Sequence, residues 1–164
     1  MYKIKTSLML PIAHCLYRGA YSGLCCGNVY RDMKEDGTKE RYDLGDKIYP
    51  VTHGHSYRVT VELESNELDK NGMVVDFKLF KKILKGYFEQ YDHSCILTPD
   101  NPLVKLYEGG NYPKLHIWDE NPTAEYMSKY WHDTVQDLME KNGLTVNDLS
   151  LTVEETSHNS VEYC

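Results

Sequence analysis

The segment from position 55 to position 64 constrains the fold more than any other part of the chain. Tyr57, Val59, Val61 and Leu63 occupy every second place, and Arg58, Thr60, Glu62 and Glu64 fill the places between. Side chains of a strand point alternately to its two faces, so this segment predicts a half-buried strand, apolar toward a core and polar toward water. A looser alternation over residues 2–12 (Tyr2, Ile4, Thr6, Leu8, Leu10) predicts a first strand with Pro11 near its end. Leu149, Leu151 and Val153 predict a last strand over 149–155. Between these, Asn71-Gly72 is a turn signal followed by Met73-Val74-Val75, so residues 55–75 read as a hairpin.

Two segments carry helical spacing instead. Asp76 is placed to cap a helix running to about position 91, with Phe77, Phe80, Ile83, Leu84 and Tyr87 on its apolar face. Pro122 opens a second, which carries Ala124, Met127, Tyr130, Trp131, Val135, Leu138 and Met139 and stops at Asn142-Gly143. Four strands and two helices in this order predict an α+β chain, a four-stranded antiparallel sheet with two helices on one face. No repeat or low-complexity linker marks a boundary, so residues 1–164 read as one domain. Residues 23–52 lack periodicity and hold Gly27, Gly37 and Gly45, which predicts a long loop of the kind that often carries function.

Composition narrows the function classes. A net charge of −7 opposes broad attraction to nucleic acid or an anionic membrane, and no apolar run is long enough to span a bilayer. The start Met1-Tyr2-Lys3-Ile4-Lys5 does not read as a signal peptide, so a cytoplasmic location is expected. The five cysteines, Cys15, Cys25, Cys26, Cys95 and Cys164, are odd in number and irregularly spaced, against a disulfide framework.

Four constellations can carry chemistry. His53-Gly54-His55 stands at the mouth of the central strand, where residues two apart share a face and both imidazoles can reach one ion. His14, at the end of the first strand, can complete a three-His site with an open position, as catalytic zinc requires. Taken in isolation, a His-Gly-His reads first as an ordinary polar pair at a loop edge, and its context decides. Asp92-His93 pairs an acid with an imidazole for proton transfer, or caps the first helix at its dipole. Cys25-Cys26-Gly27 places a thiol beside a flexible glycine; such cysteines are nucleophiles near a metal and inert when buried. At the end of the last strand, the alternation turns Glu155 rather than Glu154 inward, where an amino-pyrimidinone edge with two parallel N–H donors can pair with it; a solvated strand end is the alternative.

Taken in order, Ala13-His14, Cys26-Gly27, His53-Gly54-His55-Ser56-Tyr57, Gly72-Met73-Val74-Val75-Asp76-Phe77, Asp92-His93, Asn121-Pro122-Thr123-Ala124-Glu125, and Glu155-Thr156 with Tyr163 resemble the 6-pyruvoyl-tetrahydropterin synthase and 6-carboxytetrahydropterin synthase family nearly end to end. The resemblance implies the tunnelling fold, with subunits closing into barrels that stack as a homohexamer and active sites between subunits. It implies Zn2+ held by His14, His53 and His55, the catalytic pair Asp92 and His93, and Glu155 as anchor of a pterin substrate. Thr123 and Glu125 are expected near that pterin, across a subunit boundary. The family's cysteine usually stands shortly before the His-Gly-His, where this chain has Tyr49; counting forward from His14 places it at Cys26, with Cys25 as the fallback and residues 28–50 as an insertion. The stretch of Leu97, Asp100-Asn101-Pro102-Leu103 and Asn121-Pro122-Thr123 resembles the carboxy branch. That branch converts 7,8-dihydroneopterin triphosphate to 6-carboxytetrahydropterin, acetaldehyde and triphosphate on the way to 7-deazaguanines such as queuosine. The pyruvoyl branch, and a homologue that binds zinc and pterin without turnover, are the alternatives.

Overall fold

The computed structural model of the chain describes residues 1–17, 52–108, 114–144 and 147–164. Its elements run β1 (Tyr2–His14), β2 (His53–Ser65), α1 (Phe77–Phe88), β3 (Ser94–Leu97), α2 (Leu103–Glu108), β4 (Leu115–Ile117), α3 (Ala124–Lys141), β5 (Asp148–Thr156) and β6 (Asn159–Tyr163). The chain forms two compact units. One comprises Met1–Ile12, Gly54–Ser94 and Thr123–Cys164, the other Ala13–His53 and Cys95–Pro122.

In the first unit the alternation of β2 is realised: Tyr57, Val59, Val61 and Leu63 have no exposed surface. Strand β5 pairs antiparallel with β2, setting Val59 opposite Val153, Val61 opposite Leu151 and Leu63 opposite Leu149. Burying one such aliphatic side chain contributes about 1.5–3 kcal/mol, which makes this ladder the anchor of the core. Helix α3 packs on β5 and β6, and its Met127, Trp131, Val135 and Met139 are buried. Trp131 also meets Phe88 and Tyr91 edge-on, with ring centroids 5.4 and 5.3 Å away, tying α3 to the end of α1. Asp76 caps α1 by accepting from the Leu79 N–H at 2.9 Å, and Thr123 caps α3 by accepting from the Tyr126 N–H at 3.2 Å. Proline at 122 therefore precedes the cap, and α3 starts two residues later than its sequence signal.

The second unit has a small core of Cys15, Cys95, Leu97 and Val104, with Ala13, Tyr17, Leu103, Tyr107 and Leu115 packed on it. Strand β3 pairs with β4 in parallel, Cys95 opposite Leu115 and Leu97 opposite Ile117. Burial holds both thiols up, Cys15 above its ordinary value and Cys95 at about 11.

The four-stranded antiparallel expectation is corrected. The sheet has six strands in the order β4-β3-β1-β2-β5-β6 and is mixed, because the β3–β4 pair is parallel. Three helices are present among the described residues rather than two, the third being the short α2. The hairpin over 55–75 is also corrected: Met73-Val74-Val75 form no strand. Asp69 takes that segment instead, its Oδ1 accepting from the Asn71 and Met73 N–H groups at 2.8 and 2.9 Å, which closes a side-chain-directed turn where a ladder would need those donors. The segment 28–50 read as an insertion lies outside the described residues.

Candidate metal centre and active site

β1 ends on His14 and β2 begins on His53, and the two rings meet. His14 is fully buried, and its Nε2 lies 3.2 Å from His53 Nε2. On the other side of the His14 ring, Nδ1 lies 2.7 Å from the Pro122 carbonyl. A carbonyl only accepts, so Nδ1 carries the proton, and the neutral form of the ring then has its Nε2 lone pair toward His53. The segment holding that carbonyl is itself braced, because Asn121 Oδ1 accepts from the Tyr17 N–H at 3.1 Å. His55 follows two residues along β2, and one ligand nitrogen from each of His14, His53 and His55 lies within 4.8 Å of the others.

This group can hold a metal ion. Two nitrogens bound to one tetrahedral ion at about 2.0–2.1 Å stand roughly 3.3 Å apart, close to the His14–His53 separation. The all-imidazole donor set suits zinc and other borderline divalent metals rather than calcium or magnesium. Tautomer fixation through the second ring nitrogen is the usual accompaniment of a metal-bound histidine.

The Glu155 side chain is the less exposed of the two carboxylates at the end of β5, 18% against 38% for Glu154. Glu155 Oε1 accepts from the Tyr57 hydroxyl at 3.1 Å and lies 3.6 Å from His55 Nε2. The His55 and Tyr57 rings are themselves edge to face, with centroids 5.4 Å apart. Asp92 and His93 form a close pair, Oδ2 to Nδ1 at 3.1 Å, with His93 78% exposed and Asp92 44%. His93 has φ of +57°, in the left-handed region, and its N–H donates to the Pro11 carbonyl at 2.9 Å. The C-cap of α1 is Glu89, so His93 stands beyond the cap, and its imidazole is exposed beside the Asp92 carboxylate. Thr123 Oγ1 serves α3 as its cap, and Glu125 is exposed in the first turn of α3. Cys25 and Cys26 lie outside the described residues.

Two contributors escaped the sequence reading. Tyr57 reads there as one more apolar residue of the central strand; the available signal is a phenol at a fully buried place, since its hydroxyl must find a partner. The Asn121-Pro122 brace of His14 acts through a backbone carbonyl, which no side-chain pattern reveals.

A family model described as 6-pyruvoyl tetrahydropterin synthase matches residues 10–164. The chain belongs to that family. Among relatives in this family, a protein of Aquifex aeolicus named 6-carboxy-5,6,7,8-tetrahydropterin synthase is 33% identical over 145 residues, covering 82% of this chain and 90% of its own. A Rickettsia felis protein of the same name is 36% identical over 97 residues, 54% of this chain and 70% of its own. Solved structures agree on the fold of the synthase family. An uncharacterized protein of Wolinella succinogenes superimposes with a TM-score of 0.67 at 20% identity, covering 99% of this chain and 97% of its own. A catalytic-residue variant of the Plasmodium vivax 6-pyruvoyltetrahydropterin synthase does so with a TM-score of 0.61 at 16% identity, covering 99% and 98%.

Proposed function

We propose that this chain is a zinc-dependent 6-carboxytetrahydropterin synthase, which converts 7,8-dihydroneopterin triphosphate and water to 6-carboxytetrahydropterin, acetaldehyde and triphosphate, a step toward 7-deazaguanines such as queuosine. The observation that carries this reading is the three-histidine group at the meeting of β1 and β2, in a chain whose relatives bear that name. When held by His14, His53 and His55, zinc supplies Lewis-acid polarisation of the substrate's side-chain hydroxyls.

The chain's own residues do the rest. Glu155 pairs with the amino-pyrimidinone edge of the pterin and fixes its orientation. Asp92 engages His93 at Nδ1, which leaves Nε2 as the atom that moves protons between ring and side chain. Cys26 supplies the thiol that works with this pair, Cys25 being the fallback. Thr123 and Glu125 sit near the pterin at a subunit boundary of a homohexamer. The enzyme works in the cytoplasm, on a small molecule rather than a nucleic acid or membrane.

The name of the matching family model and of the Plasmodium structure favours 6-pyruvoyl-tetrahydropterin synthase as the second reading. One assay separates the two: zinc-loaded protein is given 7,8-dihydroneopterin triphosphate, and acetaldehyde and pterin products are measured. Carboxypterin with stoichiometric acetaldehyde is expected. A diketo product without acetaldehyde selects the second reading, and zinc and pterin binding without turnover defeats both.

A further inference from the structure

Glu155 sits where β5 loses its regular register. The β5–β6 pairing runs evenly from Leu151 opposite Tyr163 to Glu154 opposite Ser160, then shifts between Glu154 and Thr156. A bulge re-aims the side chain it carries and loosens the hold of the ladder on it. The direction of the Glu155 carboxylate is therefore set by what its oxygens touch. Oε1 faces the Tyr57 hydroxyl at 3.1 Å, with His55 Nε2 at 3.6 Å. Tyr57 is itself rigid: it has no exposed surface, and it lies on β2 next to Arg58, which is paired in register with Glu154. A buried phenol on a regular strand thus grips a carboxylate on an irregular one.

We infer that Tyr57 is a positioning residue for the pterin anchor, its hydroxyl fixing the Glu155 carboxylate in the orientation that meets the pterin edge. The inference rests on Glu155 being that anchor, as proposed above. A hydrogen bond to one carboxylate oxygen restricts rotation of the group, so that both oxygens stay in the plane a pair of parallel N–H donors requires. Because Oε1 also borders His55, the same bond holds the carboxylate beside a metal-ligand candidate and restricts its rotation there.

The test is equilibrium binding of neopterin, followed by its fluorescence, to zinc-loaded wild type, Tyr57→Phe, Glu155→Ala and the double variant, with zinc content and Tm recorded for each. Y57F is expected to bind on the order of tenfold more weakly with zinc content unchanged, the loss of one charge-assisted bond. It raises KM more than it lowers kcat, and the double variant is no weaker than E155A. Undiminished binding by Y57F beside a crippled E155A overturns the positioning role while leaving the anchor standing. Additive losses in the double variant overturn it also. Undiminished binding by E155A removes the anchor reading and the inference with it. If Y57F does not fold, the wild-type chain answers: an exchange-protected Tyr57 hydroxyl proton resonance that shifts on neopterin addition supports the contact, and one that stays in place overturns it.

Discussion

His14 shows how much a single ring can be asked to do. It closes β1, is completely buried, donates from Nδ1 to the Pro122 carbonyl and presents Nε2 to His53. An imidazole buried this way without a purpose for Nε2 is a poor core residue, because an aliphatic side chain would fill the place without polar demands. Replacing His14 or His53 with Ala removes one of the three proposed ligands and is expected to abolish stoichiometric zinc binding, read by competition with a chromophoric chelator. Asn121→Ala leaves all three ligands but frees the segment that orients His14, and zinc affinity is expected to fall about 10–100-fold. Unchanged affinity in Asn121→Ala would show that the Pro122 carbonyl is held without the Asn121 brace. The thiols divide by the same logic of burial. Cys15 and Cys95 are buried with raised values, Cys95 at about 11, whereas Cys164 is exposed. A group with a raised folded value stays protonated until pH approaches that value, so near pH 8 iodoacetamide is expected to label Cys164 well before Cys15 or Cys95. Peptide mapping by mass spectrometry reads the order directly, and early labelling of Cys95 contradicts its burial.

At the scale of elements, what the sequence disclosed and what it hid follow from length and exposure. β2, β5, α1 and α3 were legible because each is long and half-buried, so its periodicity survives in the residue pattern. β3 was not: Ser94, Cys95, Ile96 and Leu97 are all buried, and a strand buried on both faces shows no alternation. β4 is three residues long, too short for any period. β6 carries one legible signal, Val161 and Tyr163 two apart, beyond a turn in which Thr156 Oγ1 accepts from the His158 and Asn159 N–H groups. The site divides likewise. The three histidines were visible through spacing, while the contacts that orient His14 run through long-range pairing. Asp76 is the element-scale feature most open to test. It satisfies one of the orphan N–H groups at the start of α1, and Asp76→Ala is expected to lower stability by about 1 kcal/mol. Urea unfolding with unchanged slope would report it, and a midpoint equal to wild type would mean that α1 draws nothing from its cap.

At the scale of the whole molecule, the exposed position of the Asp92-His93 pair matters most. A proton-transfer pair works best where water is excluded, yet in the single chain His93 is 78% exposed and Asp92 44%. Glu125, expected beside the pterin, is exposed as well. In the homohexamer proposed above, a neighbouring subunit covers these groups and completes the site. The expectation is specific enough to separate shared sites from self-contained ones. His14→Ala and Glu125→Ala should each be inactive as pure preparations, since each removes a different part of every site. If His14 and Glu125 of one site come from different subunits, a co-refolded equal mixture contains sites with neither lesion, about a quarter of the total for random assembly. Activity should then return to roughly that fraction of wild type, with mixing confirmed by tagging the two variants differently and recovering both tags in one complex. If both residues of a site belong to one chain, every site in the mixture carries a lesion and no activity returns. The two results cannot be confused, because each variant alone fixes the baseline and recovery of both tags in one complex shows that mixing took place.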